Sequence, residues 1–182
     1  MAGLLGIGFQ ISSCTSRQKE KKDATHSLIN QVTDSNAEVK YNIEFPDKVW
    51  EMHHSLEELS GISFSDTNQL ACINDEKGEI YLYDLQKEDI VSKISFARNG
   101  DYEDIAVDGS TAYIIRSDGQ IFIAKDFLGT VSTEEIQTSL NRFNNTEGLY
   151  LDKANNRLLI ACKFDAGKNF SSDTKAIYQF SL

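Results

Sequence analysis

A chain of 182 residues, 40% hydrophobic and 25% charged, carries enough apolar material for one domain of ordinary size with a real core. A formal net charge of −10 argues against a nucleic-acid partner, which needs a basic surface to meet phosphate, and against adsorption of the folded body onto anionic lipid. Cys14, Cys72 and Cys162 form no CxxC pair and no Cys/His cluster, which argues against a structural zinc site.

The first stretch, residues 4–13, is apolar and uncharged. Ten residues are too few to span a bilayer as a helix but match the apolar region of a signal peptide. The stretch ends at Ile11-Ser12-Ser13-Cys14, which is similar to the bacterial lipobox, so Cys14 is predicted to carry a lipid. No Lys or Arg precedes the apolar run, a departure from that pattern. Residues 15–40 are polar and charged, too poor in apolar surface to fold, and read as a flexible tether. The expected organisation is therefore a lipoprotein signal segment (1–14), a tether (15–40) and a folded part (41–182). Tyr41–Phe45 reads as a strand that closes a ring between first and last repeat units.

Three segments then share a pattern: Glu58-Leu59-Ser60-Gly61-Ile62, Asp101-Tyr102-Glu103-Asp104-Ile105 and Asn145-Thr146-Glu147-Gly148-Leu149. The aligned aliphatic residues Ile62, Ile105 and Leu149 lie 43 and 44 residues apart, close to the period of a four-stranded propeller blade. The first unit predicts strands at Ile62–Phe64, Gln69–Asn74, Glu79–Leu85 and Ile90–Phe96, with a turn at Asp75–Gly78. The second predicts Ile105–Val107, Thr111–Arg116 and Gln120–Lys125, turning at Ser117–Gly119. Its last run, Ser132–Leu140, fits an outer strand or a short amphipathic helix. The third predicts Leu149–Leu151, Arg157–Lys163 and Ala176–Leu182, and stops at its third strand. These are β-branched and aromatic runs of strand length between Gly, Asp and Asn turns.

The fold class expected is all-β: a β-propeller-type partial ring of three four-stranded blade repeats behind the tether. Three units fall short of the roughly 4–8 blades that close a propeller. Truncation of the chain is the favoured expectation, and completion of the ring by a partner the alternative.

Taken together, in order and at blade spacing, Glu-Leu-Ser-Gly-Ile, Asp-Tyr-Glu-Asp-Ile-Ala and Thr-Glu-Gly-Leu resemble the SdiA-regulated family, over roughly residues 41–182. The likeness is to its lipoprotein members from Bacteroides-like bacteria. This resemblance implies a β-propeller, exported or membrane-associated, without an assigned activity. Related propellers include phytase-like and lactonase-like enzymes that hold calcium in or near the central channel.

The first strand of each blade lines the channel, so the motif residues are expected to meet at one mouth. Ser60, Glu103 and Glu147 stand two positions before the aligned aliphatic residue, and Glu58, Asp101 and Asn145 four before it. Positions two apart on a strand share a face. Glu58, Asp101, Glu103 and Glu147 are the candidate metal ligands, hard oxygen donors of the kind Ca²⁺ accepts. Asp104 points to the other face and is expected to be structural. The competing reading is that these carboxylates cap turns and recur only because the blade recurs. His53 and His54, if on a strand, face opposite ways and cannot share a metal. Arg116 and Lys163 end apolar strands and read as solvated strand ends, and of the basic residues only Arg98 and Arg116 lie near the acidic ring in repeat terms. No nucleophile elbow or Cys/His pair appears. The functional expectation is an exported, membrane-anchored binding module in the cell envelope, touching the membrane only through its lipid. Its partner would be a small molecule or an envelope protein. The alternative is a calcium-dependent phosphoesterase or lactonase-like hydrolase.

Overall fold

The computed structural model describes residues 44–171 and 173–182. The Cys14 lipid site, the 15–40 tether and residues 41–43 lie outside the described residues. Glu44 and Phe45 form no strand, so the closing strand expected at Tyr41–Phe45 is not seen in the part that is described.

Each repeat unit folds into one up-and-down antiparallel sheet. The first contains β1 (Leu59–Asp66), β2 (Gln69–Asn74), β3 (Glu79–Asp84) and β4 (Asp89–Ser95). The second contains β5 (Tyr102–Asp108), β6 (Thr111–Arg116), β7 (Gln120–Lys125) and β8 (Ser132–Gln137). The third has β9 (Thr146–Asp152), β10 (Arg157–Cys162) and β11 (Ile177–Ser181), with no fourth strand among the described residues. The ambiguous run at 132–140 is thus a strand as far as Gln137. Its exposed Glu134 and Glu135 suit an outer edge, which charged side chains protect from further pairing.

The sheets pack face to face, and the chain folds as three consecutive blades of a β-propeller. Alternation along the strands decides which side chains meet. In β6, Ala112 and Ile114 pack toward blade 1, while Tyr113 and Ile115 pack toward blade 3. Between blades 1 and 2, Phe96, Tyr102 and Phe122 meet edge to face with centroids 5.0–5.7 Å apart. The Tyr102 hydroxyl donates to the Arg98 carbonyl at 2.6 Å, satisfying its one polar atom. Between blades 2 and 3, Ile115, Ile121 and Leu140 face Leu158, Ile160 and Cys162. Both sheet faces of blade 2 are therefore apolar, which explains its continuous hydrophobic strands.

Cys72 and Cys162 are free thiols buried in blades 1 and 3, each behaving as a small hydrophobe. Burial pushes the Cys72 thiol up to about 11, so it is unreactive at neutral pH.

Candidate functional site at the inner-strand mouth

The inner strands β1, β5 and β9 lie side by side, β1 against β5 and β5 against β9. A repeated backbone frame holds their leading ends. Within each blade, the residue just after the second strand donates its N–H to the carbonyl four positions before the aligned aliphatic residue. The pairs are Asp75 to Glu58 (3.2 Å), Ser117 to Asp101 (2.8 Å) and Lys163 to Asn145 (2.8 Å). Between blades, the carbonyl of that same residue accepts from the next inner strand: Asp75 from Tyr102 (2.8 Å) and Ser117 from Thr146 (2.9 Å). Glu58, Asp101 and Asn145 thus occupy one repeat position because the backbone places them there. Asp75, Ser117 and Lys163 occupy a second.

Asp104 locks the inner strands. Its Oδ1 accepts from its neighbour's Ile105 N–H at 2.8 Å, and its Oδ2 from Leu149 N–H in the next blade at 2.7 Å. The structural role expected of it is what these bonds perform. On the other side, a Cβ on Gly61 would lie 2.9 Å from Asp104 Cα and from Ile105 N, so only glycine lets β1 come this close. Ser63 Oγ accepts from Val107 N–H at 3.1 Å one step further along.

Of the predicted ligands, Glu103, Glu147 and Asp101 share one electrostatic environment. Burial, then the charges of Glu147 and Asp101, push the Glu103 carboxyl up to about 7, with Lys163 opposing. Glu147 Oε1 accepts from Lys163 Nζ at 2.8 Å and from Asn145 Nδ2 at 2.7 Å. Glu58 stands in a neighbouring cluster. The charge of Asp75 raises its carboxyl above the ordinary value, with Glu76 and Glu57 adding to it. Ser60 is turned to the Ile73 carbonyl at 3.5 Å, too long to be a strong bond.

Asp75 joins the two clusters, since its charge acts on both Glu58 and Glu103. Its Oδ1 is buried without a hydrogen-bond partner. Asp75 opens the turn expected at Asp75–Gly78, and the repeated backbone frame puts it at the mouth in the position of Ser117 and Lys163. Lys163, read as a solvated strand end, is the cation of the site. Arg116 instead forks onto Asp118 at 3.0 and 2.7 Å and lies over the Phe122 ring. The two histidines form no strand. His53 caps a 3₁₀ turn at His54–Leu56, accepting Ser55 N–H, and its ring lies 3.9 Å from that of His54.

The donor set suits a hard cation in type and charge, and the orphaned Asp75 oxygen fits one. Among the described residues, however, no three His, Cys, Asp or Glu side chains stand together so as to hold a metal ion. In this conformation Lys163 supplies the compensating charge.

No protein-family model matches the sequence, and no curated protein matches it. Solved structures do resemble it. Hydrazine synthase of Kuenenia stuttgartiensis superposes with a TM-score of 0.51 at 16% identity, over 68% of this chain and 34% of that one. This chain therefore spans about a third of that protein. The likeness is one of fold. A luciferin-regenerating enzyme (TM-score 0.47, 12% identity, 68% and 45% covered) and the Neurospora crassa Pan2 WD40 domain (0.46, 13%, 69% and 36%) also match.

Proposed function

We propose that this chain is a binding module whose ligand site is the acidic mouth formed by the leading ends of the inner strands. The observation that carries the reading is the setting of Glu103, whose carboxyl is raised to about 7 first by burial and then by the charges of Glu147, Asp101 and, least, Asp75. A carboxylate held so close to neutrality gains most from a bound cation. The ligand class is cationic, with Ca²⁺ the ion whose oxygen preference and tolerance of irregular geometry suit these donors. Asp75, Asp101, Glu103 and Glu147 are the proposed ligands, which must draw together on binding because no three of them share an ion's reach in the described conformation; Glu58 acts through Asp75, and the Lys163 ammonium competes for the same charge. No observation favours the calcium-dependent hydrolase over this reading.

The motifs at Glu58–Ile62, Asp101–Val107 and Asn145–Asp152 support placement near the SdiA-regulated propellers, and the lipobox at Cys14 supports anchoring in the cell envelope. Radiolabelled palmitate should label the full chain in a bacterial host, and Cys14→Ala should abolish the label. Label retained by that variant would contradict the anchor.

Calorimetric titration of the full chain with CaCl₂ tests the mouth. The expected dissociation constant is about 10⁻⁴–10⁻³ M, the range of extracellular calcium modules. Glu103→Gln/Glu147→Gln should remove the signal while leaving the thermal transition cooperative. Absence of a calcium signal in the unmutated chain would remove the proposal.

A further inference from the structure

A cleft between blades 1 and 2, both of them four-stranded, carries opposite charges on its two walls. We propose that it binds a small amino-acid zwitterion, with the carboxylate toward Arg98 and the ammonium toward Glu135. The cleft measures about 280 Å³, at the lower end of the range for small-molecule sites.

Strand pairing builds the wall from blade 2. Tyr102 stands opposite Arg116 and Phe122 opposite Glu135, and alternation turns Arg116, Phe122 and Glu135 to the side that meets blade 1. Tyr102 and Phe122, each 1% exposed, give the cleft an apolar floor. Glu135 is exposed, and its charge reaches Arg116. Its Oε2 accepts from Gln120 Nε2 at 3.1 Å, which orients the carboxylate and leaves Oε1 without a bond among the described residues.

Blade 1 supplies the other wall from residues 97–100. Ala97 N–H donates to the Gly78 carbonyl at 3.2 Å and Gly100 N–H to the Glu76 carbonyl at 3.0 Å. The Arg98 carbonyl accepts the Tyr102 hydroxyl at 2.6 Å. Gly100 lies against blade 2, where a Cβ would stand 3.0 Å from Tyr102 Cζ and 3.1 Å from Arg116 Cδ. The backbone beneath Arg98 is therefore fixed in advance of any ligand, which lowers the cost of binding one. Among the described residues the Arg98 and Asn99 side chains make no hydrogen bond or ion pair.

The balance of charge selects the ligand. Arg116 donates to Asp118 through Nε and Nη2 at 3.0 and 2.7 Å, so its charge is already met. Arg98 and Glu135 remain, lining the same space without pairing to each other. An anion alone would meet the charge of Glu135, and a cation alone that of Arg98. A ligand that carries both charges two bonds apart meets each with its opposite. The guanidinium takes a carboxylate through parallel N–H donors, the Asn99 amide adds a donor, and Glu135 Oε1 accepts from the ammonium. This site is separate from the acidic mouth, and the reading does not rest on the cation proposed there.

Titration of the full chain with glycine, followed by ¹H–¹⁵N NMR, tests the cleft. Acetate and methylammonium, each carrying one of glycine's two charges, are the controls. Glycine should shift the amide signals of Asn99, Gly100 and Glu135 saturably, with a dissociation constant of about 10⁻³–10⁻² M, the scale for so small a ligand. Each half-ligand should bind about tenfold more weakly or worse. Arg98→Gln and Glu135→Gln, both at exposed positions, should each weaken glycine by about tenfold with the rest of the spectrum unchanged. No saturable shift with glycine would overturn the proposal. So would acetate or methylammonium matching glycine, which would mean a site for one charge only.

Discussion

At the residue scale, the mouth depends on two side chains with opposite tasks. Asp104 satisfies two backbone N–H groups in adjacent blades, so its charge is spent on the frame. Asp104→Ala leaves the Leu149 N–H buried and unpaired and should cost about 2–3 kcal/mol; Asp104→Asn, which keeps one acceptor oxygen, should cost less. Chemical denaturation of the two variants checks the order. Gly61→Ala forces Cβ against Asp104 and Ile105 backbone and should cost about 2 kcal/mol by the same measurement. Glu103 behaves differently. Its folded-state carboxyl titrates well above the ordinary value of 4.5, so the fold binds a proton more readily than the unfolded chain between pH 4.5 and 7. Its contribution to stability is fully present below that window and is lost as pH rises through it. Glu103→Gln should therefore match the unmutated chain near pH 4.5 and exceed it above pH 7. The gain should be on the order of 1 kcal/mol, allowing for partial solvent screening. Melting temperatures at both pH values test this. If Glu103→Gln were less stable at pH 7.5, the burial and crowding of this carboxyl would be refuted.

At the element scale, what was legible in the sequence was what the repeat repeats. Ile62, Ile105 and Leu149, spaced at the blade period, located all three inner strands. The β-branched runs at Gln69–Asn74 and Thr111–Arg116 located two of the second strands to the residue, and the run at Arg157–Lys163 overran the third by one. Ser132–Leu140 stayed ambiguous because an outer strand, here Ser132–Gln137, buries little, and its Thr-Glu-Glu run carries no strict alternation. Asp75 and Lys163 were hidden for another reason. Each is locally an ordinary residue after a strand, and only the inter-blade bonds of that backbone position bring it to the mouth. The blade 1–2 core is the element-level weak point. Phe122→Ala removes the ring that meets both Phe96 and Tyr102 and should cost about 3–5 kcal/mol, read as a lowered denaturation midpoint.

At the scale of the whole molecule, the blades present one acidic end in which each blade supplies a share. Blade 1 gives Glu58 and Asp75, blade 2 gives Asp101 and Glu103, and blade 3 gives Glu147 and the cation Lys163. Folding brings Asp75, Asp101, Glu103, Glu147 and Lys163 within electrostatic reach of one another, with Glu58 linked through Asp75, and no single motif specifies them. The Lys163–Glu147 pair sets the resting charge of the mouth, so its affinity for cations should rise in Lys163→Met, with the Glu103 carboxyl titrating higher still. The most direct test of the mouth is a carbon-detected NMR titration of the Glu103 side-chain carboxyl, run with and without millimolar Ca²⁺. The account predicts a midpoint near 7 without calcium, falling by about one unit or more when calcium is present. An ordinary glutamate midpoint, unmoved by calcium, would contradict it.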